Sequence, residues 1–229
     1  MYLTLLITIG VPLFIVFAII YSDRFKEPTD LVIKTFLAGV IICFPAAELN
    51  HLLIPSYEYS YRAGFTEETL KFLVLYFYIR PKSAFNEPMD AIVYGVIVSL
   101  GFATFENILY VYQGNFETDS FSLAIMRAVS AIPLHATCGI IMGYFFGLYA
   151  FTHSKQFLIK SIIFPLGIHA TYNFLTSYDF FFLYFLVAVM VYARGLHTEF
   201  SELQLKKARE KETKAVSYTH LTLPTILLV

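Results

Sequence analysis

Glu67 and Glu68 are adjacent, with Lys71 following within one helical turn, and all three interrupt an otherwise apolar run. Residues three and four apart share a helix face, so the lysine can neighbour both carboxylates. The carboxylates themselves point about 100° apart, and only one of them can face a substrate squarely. Further along, Glu106 adjoins Asn107, His135 stands one turn before Gly139, and His169 stands one turn before Asn173, each inside an apolar stretch. Carboxylates, imidazoles and carboxamides are the parts needed for water-mediated amide hydrolysis. One group takes the proton of water, a second steadies the oxyanion and a third protonates the leaving amine. No serine with a paired base stands out among them.

The elements that must position these groups follow from composition. The chain has 229 residues, 58% hydrophobic against 14% charged, a net charge of -1 and a mean hydropathy of +0.66. Soluble domains carry about 25% charged residues. Two cysteines and a near-neutral balance exclude a disulfide scaffold, a basic nucleic-acid binder and a disordered regulator. The expected fold is an all-α polytopic membrane bundle of about seven transmembrane helices in the cell membrane, with the lipid bilayer as its surroundings.

Seven apolar stretches approach the roughly 20 residues that cross a bilayer: Leu3 to Tyr21, Leu31 to Leu53, Ala63 to Ile79, Ala91 to Gln113, Phe121 to Phe151, Phe157 to Leu175 and Phe180 to Arg194. The first has no basic residue before it and is too long for a cleaved signal, so it reads as a helix. The third, with its charges, is retained on charge asymmetry. If all seven cross, one side collects Arg24, Lys26, Lys34, Arg80, Lys82, Lys155, Lys160, Arg194 and the basic tail, while the other has only Arg62. The positive-inside rule then places the N-terminus outside and the C-terminus in the cytoplasm. Without the third crossing, the basic tail would lie outside and the Lys- and Arg-free loop Gly114 to Ser120 inside.

Residues 1–196 therefore read as one transmembrane domain and 197–216 as a charged cytoplasmic tail; 217–229 resembles a non-native read-through and is set aside. Gly139, Gly143 and Gly147 recur every fourth residue, as at a close helix contact. Cys43 and Cys138 read as small apolar side chains within spans.

At about 1.5 Å of rise per residue, Glu48, Glu67, Glu68, Glu106, His135 and His169 all fall about 6 to 10 Å inside the outer ends of their spans. A charge in hydrocarbon costs about 3 kcal/mol or more, so groups at one depth on five spans point to a shared site.

The blocks Glu67-Glu68-x-x-Lys71, Phe102-x-x-x-Glu106-Asn107, His135-x-x-x-Gly139 and His169-x-x-x-Asn173, in this order, resemble the PrsW family of membrane proteases, relatives of the type II CAAX prenyl endopeptidases and bacteriocin-processing proteins. The resemblance covers about Glu48 to Asn173. It implies a membrane-embedded endopeptidase that makes the site-1 cut in a membrane-anchored protein, such as an anti-sigma factor, outside the cytoplasm. Carried over by position, Glu67, Glu68, Glu106, His135 and His169 are the expected catalytic residues, with Lys71, Asn107 and Asn173 in support. Lys71 stands where CAAX-type relatives usually have arginine, which favours the PrsW branch. The expected roles are Glu67 or Glu68 with His169 on the water, His135 and Asn173 on the oxyanion, and Glu106 orienting the histidines or serving as second acid. No cofactor is expected. A zinc protease is the first alternative, since two histidines and several glutamates could ligate zinc, but its one-helix HExxH marker is absent. A proton-coupled transporter is the second, and no inverted repeat supports it.

Overall fold

The computed structural model describes residues 2–113 and 118–221, and among these the regular elements are all helical. They are α1 (Tyr2–Ser22), α2 (Thr29–Leu53), α3 (Ala63–Leu73), α4 (Pro88–Gln113), α5 (Ser120–Val129), α6 (Ala131–Thr152), α7 (Lys155–Leu175) and α8 (Phe181–Leu221). A 3₁₀ segment, Tyr57–Arg62, leads into α3, and a π-helical segment, Val74–Ile79, continues it. Part of the loop Gly114 to Ser120 (114–117) and the end of the suspected read-through (222–229) lie outside the described residues.

Five stretches are long and apolar enough to cross a membrane on their own: α1, α2, α4, α5 taken with α6, and α8. The expected third and sixth spans correspond to α3 with its π-helical continuation and to α7, where charged residues dilute the hydropathy. The fifth span is two helices. Ser130, at φ -128° and ψ -75°, ends α5, and Pro133 enters the first turn of α6, where its missing N–H breaks no helical bond. The last helix passes Gly195 without a break; Phe200 and Gln204 beyond it are buried, and Glu199 accepts a hydrogen bond from the Tyr144 hydroxyl at 2.8 Å.

The core is the α4 and α6 pair. α4 is buried around its whole circumference from Met89 to Thr104, so it has no polar face to present. The glycine stripe of α6 makes the close approach possible. A Cβ on Gly139 would lie 2.7 Å from the Gly95 carbonyl oxygen, and one on Gly147 would lie 2.7 Å from that of Pro88. Around this pair the outer helices turn large apolar side chains outward, including Phe14 of α1, Ile41 of α2 and Val191 of α8. Such continuous apolar exterior belongs against lipid rather than water. Cys43 and Cys138 are buried free thiols.

Candidate active site

Four helices bring the ionisable groups together. From α3, Glu67, Glu68 and Lys71 are buried; from α4 comes Glu106, from α6 His135 and from α7 His169. Pro165 precedes His169 by one turn and removes a rung of the α7 ladder there.

The neighbouring glutamates have different surroundings. Glu68 Oε1 accepts from Lys71 Nζ at 2.7 Å and from His169 Nδ1 at 2.8 Å, with no exposed surface. Glu67 Oε1 accepts from the Asn50 carboxamide of α2 at 3.1 Å, and Asn50 in turn accepts from the Thr66 hydroxyl. The second oxygen of Glu67, Oε2, is buried with no protein partner and faces His169 Nε2 at 3.9 Å. A buried carboxylate oxygen left unpaired costs about 1–3 kcal/mol or more, so it marks a place where something else binds.

The imidazole protons follow from their partners. Glu68 can only accept at His169 Nδ1, so the lone pair of that ring lies at Nε2, toward Glu67. Lys71 Nζ lies 2.8 Å from His135 Nδ1; the ammonium donates there, and His135 Nε2 carries the proton directed to Glu106 Oε2 at 3.2 Å. The two rings are nearly perpendicular, with centroids 5.1 Å apart.

Glu106 is also bound by Arg127 of α5, whose Nη2 donates at 2.6 Å. The same guanidinium donates from Nε to Asn107 Oδ1 at 2.7 Å and lies 4.1 Å over the Tyr110 ring. Asn107 then donates to the Thr8 carbonyl of α1 at 2.9 Å. Arg127 can make both bonds because α5 stops at Ser130 and its last turn packs beside the site.

Glu67, Glu106, His135, His169, Asn50 and Asn173 line a common cavity of about 750 Å³. Glu68, Lys71 and Asn107 are not among its described lining residues. Of the expected residues, then, five reach the cavity and three support it from behind. Asn173 donates to the Ser60 carbonyl at 3.1 Å. Glu48, expected at the same depth, is exposed and outside the site; Asn50, about 200° further round α2, takes its place. Sequence reasoning missed Asn50 because, unlike Asn107 and Asn173, it stands in none of the blocks built on a buried Glu or His. Arg127, which the sequence offers with Asn107 as a weaker candidate, stands in the site on Glu106.

Residues 27–194 match the sequence profile of a family described as PrsW family intramembrane metalloprotease. Three curated proteins, each named Protease PrsW, are similar over most of their length. That of Geobacillus kaustophilus (strain HTA426) is 37% identical over 164 residues, covering 67% of this chain and 71% of the relative. That of Bacillus subtilis (strain 168) is 34% identical over 177 residues, covering 73% and 79%. That of Clostridioides difficile (strain 630) is 30% identical over 185 residues, covering 74% and 77%. No solved structure matches the chain.

The family description overturns the expectation that no cofactor is needed. The residues fit a metal: Glu67, His135 and His169 each offer a ligand atom, all within 4.8 Å of one another, and the unpaired Glu67 oxygen and the His169 Nε2 lone pair already face each other. One carboxylate with two imidazoles is a donor set of zinc hydrolases. Glu68 on His169 Nδ1 is the outer carboxylate that such histidines usually have. His135 joins the set only by releasing Glu106 and carrying its ring proton at Nδ1 instead, on the Lys71 side. The absence of HExxH misled because the donors come from three helices.

Proposed function

Because the chain belongs to the PrsW family of intramembrane metalloproteases, and is thus a multi-pass membrane peptidase, we propose that it hydrolyses a peptide bond of a membrane-anchored protein in the cavity lined by α2 to α7. The observation that carries this reading is the unpaired Glu67 oxygen facing His169 Nε2 at 3.9 Å on the wall of that cavity. Glu67, His135 and His169 would hold the metal, and a bound divalent metal supplies Lewis-acid polarisation of the scissile carbonyl.

The remaining steps fall to the chain's own groups. Glu106 is the cavity carboxylate left outside that set, so it accepts the proton of the attacking water and returns it to the leaving amine. Arg127 holds Glu106 in place while it does so. Asn173, on the same wall, exchanges its bond to Ser60 for one to the developing oxyanion. Glu68 and Lys71 do not touch the substrate; they orient the two imidazoles.

The charge asymmetry of the connections supports a cavity in the outer half of the bilayer. The substrate class this favours is a protein with a single span whose cut lies just outside that span, an anti-sigma factor being the first case to try. The test is incubation of purified protein in liposomes with membrane-anchored candidates, mapping new termini by mass spectrometry. We expect cleavage that is lost in Glu106→Gln and His169→Ala while thermal unfolding still shows a folded chain. Cleavage retained in both variants would remove the assignment.

A further inference from the structure

At the end of the bundle opposite the catalytic cavity, about 24 Å away along α4 from Glu106, lies a second group of acids that the proteolytic mechanism does not use. Asp23 and Glu27 come from the connection between α1 and α2, and Asp90 from the first turn of α4. Each offers a carboxylate oxygen within 4.8 Å of the others. Asp23 and Asp90 are 2% and 1% exposed, and each keeps one buried oxygen, Oδ2 and Oδ1 respectively, without a partner.

The other oxygens are committed. Asp23 Oδ1 accepts from the Phe25 amide and from Gln204 of α8, and Asp90 Oδ2 accepts from the amides of Asn86 and Glu87. The Tyr94 hydroxyl donates to Glu27. The nearby cations are engaged elsewhere: Lys207 bonds Glu87 at 3.3 Å, and Lys26 caps the carbonyls that end α1. Among the described residues, no lysine, arginine or histidine nitrogen lies within 4.0 Å of a carboxylate oxygen of Asp23, Glu27 or Asp90. Two carboxylates gathered out of water beside a half-buried third call for a positive charge or a proton, and two of their oxygens are unpaired.

We propose that Asp23, Glu27 and Asp90 form a second binding site, for a hard divalent cation of the Ca²⁺ or Mg²⁺ kind, which ties the α1–α2 connection to the start of α4. The donors are all oxygen, without sulfur or imidazole, which separates this site from the Glu and His set of the catalytic cavity. Oxygens up to 4.8 Å apart can lie on opposite sides of one calcium ion, whose Ca–O distances are about 2.3–2.6 Å. Gln204 reaches both Asp23 and Glu87, so the ion would also fix the start of the cytoplasmic half of α8. The competing arrangement is a proton shared by Glu27 and Asp90, and burial does raise the Glu27 carboxyl above its ordinary range.

The experiment uses the full chain in detergent, stripped with chelator and titrated with CaCl₂ or MgCl₂ alone at pH 7.5, reading thermal unfolding and binding stoichiometry by calorimetry. One ion of either kind should bind per chain, raising the midpoint by about 5 °C or more at saturation. The shift should vanish in Asp23→Asn and Asp90→Asn, shrink in Glu27→Gln, and persist in Glu67→Gln, which disables only the catalytic set. Should Asp90→Asn not accumulate, Glu27→Gln and the wild-type titration decide alone. The proposal is overturned if neither ion shifts the midpoint, as a shared proton would give, or if the shift survives in Asp23→Asn and Glu27→Gln, or is lost in Glu67→Gln.

Discussion

Lys71 and Glu68 offer a sharp test of how the site is held, because both side chains have no exposed surface and their contact is 2.7 Å. Lys71→Met keeps the apolar stem and removes the ammonium. Glu68 is then a buried carboxylate with only His169 to answer it, and His135 Nδ1 loses its donor. Breaking a buried pair from one side costs about 3–5 kcal/mol, because the remaining charge is stranded. For a chain of this size that corresponds to a fall of about 6–20 °C in the unfolding midpoint. Adding Glu68→Gln to Lys71→Met removes the stranded charge while leaving an oxygen for His169 Nδ1, so the double variant should regain about 2 kcal/mol or more. Thermal unfolding of wild type, both singles and the double in one detergent closes the cycle. If the two single effects add to within about 0.5 kcal/mol, the residues are not coupled and the pair does not orient the imidazoles.

Gly139→Ala would place a methyl 2.7 Å from the Gly95 carbonyl and 2.9 Å from Val96 Cα, contacts that no side chain can relieve. The helices carrying Glu106 and His135 must separate; overpacking of this kind costs about 1–3 kcal/mol, and cleavage should fall with stability. Gly167→Ala, which meets nothing within 4 Å, should leave both unchanged in the same assays. Asn50→Leu strips the last hydrogen bond from Glu67, at about 1–3 kcal/mol for an unpaired buried acceptor; we expect loss of cleavage with the chain still folded, and wild-type rates in this variant would exclude Asn50 from positioning Glu67. Metal analysis of purified protein should find one transition metal per chain that Glu67→Gln and His169→Ala release; undiminished cleavage in chelator by metal-free protein would refute the ligand set.

The boundaries of the spans were legible because apolar length is a direct demand of the bilayer. Interruptions that preserve hydropathy were not. The segment Phe121 to Phe151 reads as one run, yet the structure breaks it at Ser130, and the break lets Arg127 reach both Glu106 and Asn107. Nor does composition show that the α3 ladder widens over Val74–Ile79 or that α8 continues past Gly195.

Depth and direction separate in the same way at the site. Counting residues from a span's end gives the level of a side chain, and the expensive groups Glu67, Glu68, Glu106, His135 and His169 are read at one level for that reason. Level says nothing about azimuth. Glu48 and Asn50 differ by about 3 Å in height and about 200° in direction, and only the second faces α3. Glu67 and Glu68 share a level too, and each keeps one unpaired oxygen, but Glu67 lines the cavity while Glu68 is enclosed between Lys71 and His169. The cofactor was illegible for a related reason. A motif on one helix announces its metal through its spacing, whereas here Glu67, His135 and His169 come from α3, α6 and α7. Their convergence depends on how closely α6 approaches α4 through Gly139 and Gly143, and on how α3 lies against α7 at Gly64, where an added Cβ would stand 2.6 Å from the Ala170 backbone nitrogen. Those glycines, which carry no chemistry of their own, therefore decide whether the chemical residues become a site at all.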